Sequence, residues 1–294
     1  MKLLLLLLGV LLIPTTVPAG ELLIVQSVRD NAGSELQQSV SHTVPARVQV
    51  LLLNDYAEVD LPRIVREEQP DVLLTIGESA YRACRKIRGV PLVAVMAISL
   101  GAGRSIPANV TGIDIRIDPT RYMALFKALG LKRIGVEYDP ARSGLYLAKA
   151  QHAATLAGIE LALRPVREPR EAVKSLESLK GNASDGLWLL PDPTTVTAVT
   201  LAADFNFSLE QKKPVVSYTE EHLRRGAAVT LNQEWGSMGL QAGQMVGRLL
   251  GGTPPREIPP QSPRNFRLTC NESVLSKLGI HPPPLERLFP KPRE

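Results

Sequence analysis

Short apolar runs alternate with longer amphipathic stretches along most of this chain. Residues 22–27, 47–53, 72–76 and 92–97 are runs rich in Leu, Val and Ile. Between them lie stretches with helical periodicity, among them 61–69 and 79–87. Runs that are apolar throughout predict strands covered on both faces, and their alternation with helices predicts a parallel sheet. Residues 108–118 read as an extended crossing segment, after which the rhythm restarts. Strands are expected at 133–138, 159–166, 186–190 and 214–218, and helices at 119–129, 143–156, 168–179 and 195–211. Pro119 suits a first helical turn, while Gly130 and Gly158 suit helix stops. A strand at 227–231, a helix at 235–250, a strand at 266–270 and a helix at 272–278 complete the pattern. Residues 254–263 and the tail 282–294 are Pro-rich and read as extended.

Two sets of alternating units within 294 residues predict an α/β fold. The expected architecture is two doubly wound, Rossmann-like lobes, each with its own core and with a ligand cleft between them.

The N-terminus carries a different pattern. Lys2 precedes an apolar run at 3–13, Pro14 breaks it, and Val17, Pro18 and Ala19 supply small residues before a cleavage point after Ala19. This is the layout of a secretory signal peptide, residues 1–19, and it predicts a periplasmic protein. The run is short for a bilayer span, which needs ~20 apolar residues; an uncleaved anchor is the alternative. Cys84 and Cys270 are too few for a disulfide framework, and each is expected as a separate packed thiol. The net charge of +5 is spread along the chain without a basic run, so no nucleic-acid partner is expected.

Ligands of open parallel sheets bind beyond the carboxyl ends of the strands. Those positions hold Gln26 and Ser27, then Gly77, Glu78 and Ser79, then Ser99. In the second half they hold Tyr138, then Asp192 and Pro193, then Ser217 and Tyr218, and finally Asn232. Gly77 would admit a ligand to the backbone, and Ser79 would cap the following helix or meet a carboxylate. Tyr138, Tyr218 and Trp235 would wall a pocket, and Asp192 would meet an ammonium group. Thr194 and Ser79 are equally good as plain helix caps. Enzyme patterns are missing: His42, His152, His222 and His281 have no metal-ligand spacing, and the chain has no nucleophile elbow and no phosphate loop. Neither catalysis, a metal nor a cofactor is expected.

Several stretches resemble the substrate-binding proteins of ABC transporters with the type I periplasmic fold, in the branch that includes tryptophan and tyrosine binders. They are Asn109-Val110-Thr111-Gly112, 132–136, Asp185-Gly186-Leu187-Trp188 with Pro191-Asp192, and Lys213-Pro214-Val215-Val216. The C-terminal third adds the helix 239–252, Glu257-Ile258-Pro259, Asn271 and Leu278-Gly279-Ile280. The resemblance covers residues 70–282. It implies one lobe from 20–113 and 227–252, and another from 114–226 and 253–294, closing on a small-molecule ligand such as an amino acid. An ABC permease would receive the ligand; a sensor kinase as partner, or a two-lobed enzyme, are the alternatives. Two places depart from the family: Ala97-Ile98-Ser99-Leu100 replaces an Asp-Pro after the fourth strand, and 26–39 is short. Both fall at expected ligand contacts, so the resemblance leaves the ligand open.

Overall fold

A computed structural model describes residues 20–102, 106–285 and 288–289. The expected signal peptide lies outside the described residues. The first half runs β1 (Gly20–Gln26), α1 (Asn31–Thr43), β2 (Ala46–Leu52), α2 (Leu61–Glu68), β3 (Val72–Ile76), α3 (Glu78–Cys84), β4 (Leu92–Val95) and β5 (Val110–Gly112). The second runs α4 (Pro119–Ala128), β6 (Arg133–Tyr138), α5 (Pro140–Ala157), β7 (Glu160–Pro165), α6 (Pro169–Ser175), β8 (Gly186–Trp188), α7 (Ala198–Gln211), β9 (Val215–Ser217), α8 (Glu221–Arg225) and β10 (Val229–Gln233). Then come α9 (Trp235–Leu250), β11 (Phe266–Cys270) and α10 (Glu272–Lys277).

The strands form two sheets. The first has the order β2-β1-β3-β4-β5, and all its pairs are parallel. The second has the order β11-β10-β9-β8-β6-β7, parallel except for β11 on β10. Apart from that edge strand, both sheets repeat one doubly wound order. In it the strand order reverses between β1 and β3, and again between β6 and β8, which makes the crevices where ligands bind. Each sheet is buried on both faces. Leu22, Ile24, Leu74 and Val95 face α1 and α9, while Leu23, Val25, Leu73 and Ala94 face the other layer. In the second sheet Trp188 packs with Tyr122, Phe126 and Tyr146, at centroid distances of 4.6, 5.6 and 5.9 Å.

Local chemistry sets the helix ends. Asp118 and Asp139 each accept a hydrogen bond from a first-turn amide, and Pro119 and Pro140 hold the first helical positions. Thr197 and Thr200 form a reciprocal cap at the start of α7.

The expected lobe boundaries need correction. Val229–Gln233 pairs with β9 and β11 in the second sheet, so this strand does not belong to the first lobe. Its apolar run suits either sheet, and only its hydrogen-bonded neighbours decide. The chain crosses at Glu234, and α9 then packs on α1. The segment after α9 also stays with the first sheet: Ile258 lies in its core, and Gln261 bridges Ile113. Gly112 sits at the first crossing with φ +155, and a Cβ there would lie 2.0 Å from the carbonyl oxygen of Ala94. Only glycine fits so close to the neighbouring strand. Cys84 lies in the first core and Cys270 at the end of β11; among the described residues no disulfide joins them.

Candidate functional site

The carboxyl ends of both sheets face the region between them, and two cavities open there. The larger, of about 500 Å³, takes Glu35, Trp235 and Ser237 from α1 and α9 on one side. Tyr218, Thr219, Glu220, Asn232, Gln233 and Arg267 line it from the second sheet, with Glu234 at the crossing. The smaller, of about 240 Å³, lies between Glu78, Arg82, Ile98, Ser99 and Ala102 and the facing Asp139, Ala141, Arg142 and Pro193. Six of the expected residues therefore line a cavity: Tyr218, Asn232 and Trp235 the larger, Glu78, Ser99 and Pro193 the smaller.

The other expected residues brace the walls. Gln26 is buried and donates to the carbonyl of Val28 at 2.7 Å. Ser27 accepts from the Ala80 amide at 2.9 Å, so the end of β1 caps α3. Gly77, at φ +96, is the N-cap residue of that helix, and a side chain there would meet the Ser27 hydroxyl. Ser79 is thus two residues too late to be the cap, and it lies exposed. Tyr138 ends β6 half-buried against the second core. Ser217 is buried, with its hydroxyl 2.6 Å from Nδ1 of His222.

Asp192 does not offer its carboxylate to an ammonium group, as its sequence position suggested. It is 1% exposed. Oδ1 accepts from the Thr194 amide at 3.0 Å, and Oδ2 accepts from the Asp139 amide at 3.0 Å and the Ser143 hydroxyl at 2.7 Å. These donors come from the loop after β6, the start of α5 and its own turn, so Asp192 ties the second lobe's strand ends together.

The remaining groups face ligand space. Burial favours a neutral Glu78, yet hydrogen bonds from Ser99 and from Arg82 outweigh it and hold the carboxyl below its ordinary range. Burial, with help from the nearby Glu221 and Asp192 charges, pushes the Tyr218 hydroxyl up to about 12. Tyr218 is therefore a neutral phenol at physiological pH, set edge-on to His222 at 5.3 Å. Asn232 donates from Nδ2 to Thr230 Oγ1 at 2.9 Å, while its Oδ1 is buried without a partner.

Position after a strand pointed to none of Glu35, Glu234, Arg267 or Arg142. Glu35 lies on a mostly polar helix, where it reads as surface, yet its Oε1 accepts from the Gly236 amide at the start of α9 at 2.9 Å. Arg116 was equally hidden. It is 2% exposed on the 113–118 crossing and is gripped by both oxygens of Asp114 at 2.9 Å. It also donates to the carbonyls of Arg142 at 3.2 Å and Ile98 at 3.4 Å, one from each lobe, and lies over the Tyr146 ring.

The family model for ABC transporter substrate binding proteins matches residues 55–289. The chain belongs to that family. This binding protein has no significant match among curated proteins. Its fold recurs in solved structures. A ligand-free, open substrate-binding protein with adhesive properties from Clostridium difficile matches at TM-score 0.68 and 18% identity, over 91% of this chain and 97% of that one. A Streptococcus pneumoniae ABC domain in complex with L-Trp matches at TM-score 0.64 and 16% identity, over 90% and 96%. A conserved domain protein from Vibrio cholerae matches at TM-score 0.63 and 20% identity, over 90% and 96%. The fold is thus that of the two-lobed periplasmic binding proteins, and the family's work is to bind substrates rather than transform them.

Proposed function

We propose that this binding protein captures a small polar solute, an amino acid or a related compound, between its lobes in the periplasm and passes it to an ABC permease. The observation that carries the reading is the cavity of about 500 Å³ whose walls come from both lobes and meet at the Glu234 crossing. A pocket of that size suits a small molecule, and a hinge between its walls lets the ligand hold the lobes closed. The working lobes are 20–113 with 235–261, and 114–233 with 266–289. The relative crystallised with L-Trp supports an amino acid or related solute, and the apolar leader at 3–13 supports a periplasmic site of action.

Native mass spectrometry of the protein from residue 20, with a thermal-shift panel of amino acids, sugars and anions, tests the reading. A retained mass or a raised melting temperature is expected. Tyr218→Ala should weaken the solute found there by about tenfold, or ~1.4 kcal/mol, without lowering the melting temperature of the empty protein. A panel in which no solute binds, with no retained mass, would refute the reading.

A further inference from the structure

The larger cavity is acidic and partly aromatic. Glu35, Glu220 and Glu234 line it against one guanidinium, that of Arg267, which stands 3.8 Å from Glu234. Among the described residues, Glu35 and Glu220 each engage a protein donor through Oε1 alone, the Gly236 amide at 2.9 Å and the Thr269 hydroxyl at 3.1 Å. The start of α9 adds only about half a positive charge, so the cavity keeps a negative balance. Asn232 supplies an independent sign of a ligand. It is 9% exposed, it lines this cavity, and its Oδ1 accepts nothing from the described residues. A buried acceptor without a donor costs about 1–3 kcal/mol, and a ligand N–H would remove that cost. Tyr218 and Trp235 add aromatic groups, which attract cations over their faces.

We propose that this cavity selects a solute bearing a positively charged nitrogen, which Asn232 Oδ1 and the carboxylate of Glu220 receive beside Tyr218 and Trp235. The inference rests on the solute-binding reading and narrows it to a class of ligand. An excess of negative charge over the single Arg267 guanidinium, an unfilled acceptor and aromatic walls all favour the same chemistry. A carboxylate placed here would face the glutamates and find no donor at Asn232 Oδ1.

Calorimetric titration of matched pairs tests it: choline against 3,3-dimethylbutan-1-ol, and putrescine against 1,4-butanediol. At least one cation should bind ten or more times tighter than its neutral partner. Its affinity should fall with added salt and fall about tenfold in Glu220→Gln, a change that keeps the bond to Thr269. Equal binding of charged and neutral partners, no binding by any cation, or an unchanged affinity in Glu220→Gln would each overturn the inference. Binding of a neutral or anionic solute from the wider panel would then leave the solute-binding reading standing, whereas silence from that whole panel would remove both.

Discussion

Replacing Glu137 by glutamine should flatten the pH dependence of stability between about pH 4.5 and 7. Glu137 sits on β6, 6% exposed, and accepts the hydroxyl of Ser175 on α6. Burial pushes its carboxyl from 4.5 up to about 7, against the smaller opposing pull of that hydrogen bond. Asp204 on α7 is also buried, with Oδ2 unpartnered, and burial together with the Glu137 charge raises it well above its ordinary range. An acid that is weaker in the folded chain than in the unfolded one keeps its proton longer in the fold. Its stabilising contribution is therefore complete below the unfolded value and is lost as pH rises through the folded one. A difference of about 2.5 units, at 1.36 kcal/mol per unit, corresponds to about 3 kcal/mol. The side chain introduced by Glu137→Gln would still accept from Ser175 and would not titrate, so the wild-type advantage should shrink by about that amount from pH 4.5 to pH 7.5. Urea unfolding midpoints of both proteins across that range measure the difference. A wild-type advantage that stays constant, or grows as pH rises, would show that Glu137 enters the fold ionised.

Two further substitutions probe the frame of the cleft. Asp192→Ala removes the acceptor of the Asp139 amide, the Thr194 amide and the Ser143 hydroxyl. It should cost about 3 kcal/mol or more in chemical denaturation, whereas a ligand-contacting carboxylate would have left the empty protein's stability unchanged. Arg116→Leu leaves Asp114 without its guanidinium and breaks the links to Ile98 and Arg142. A loss of about 3–5 kcal/mol is expected, with a larger radius of gyration in small-angle scattering as the crossing loosens; unchanged stability would exclude the clamp.

The alternation of strands and helices was legible because each element buries a contiguous apolar set. Val72–Ile76, Arg133–Tyr138, Trp235–Leu250 and Phe266–Cys270 begin and end where their residues indicate. Helix α1 was not legible: Asn31–Thr43 is mostly polar, with Gly33, Leu36 and Val40 buried. Its partner face makes it a helix, since a Cβ on Gly239 would come within 2.5 Å of the Leu36 carbonyl and one on Gly243 within 2.8 Å of Thr43. The membership of β10 was hidden for a related reason, as strand pairing is a property of neighbours and not of a run. At the site, strand ends located the cleft but not the direction of each side chain. Asp192 and Ser217 are spent on internal bonds, while Glu35 and Glu234 reach the cavity from places that read as solvent.

The dependence of the first sheet on α9 also bears on the order in which the protein is made. β1 to β5 are complete by Gly112, yet the layer over Leu22, Ile24, Leu74 and Val95 includes Met238, Ala242, Met245, Val246 and Leu249. Every strand of the second sheet except β11 leaves the ribosome before that cover exists. An amino-terminal fragment that stops before Trp235 would carry a finished set of strands with an oily face open to water. Whether a growing chain stays soluble thus depends on how long its earliest strands wait for its last long helix.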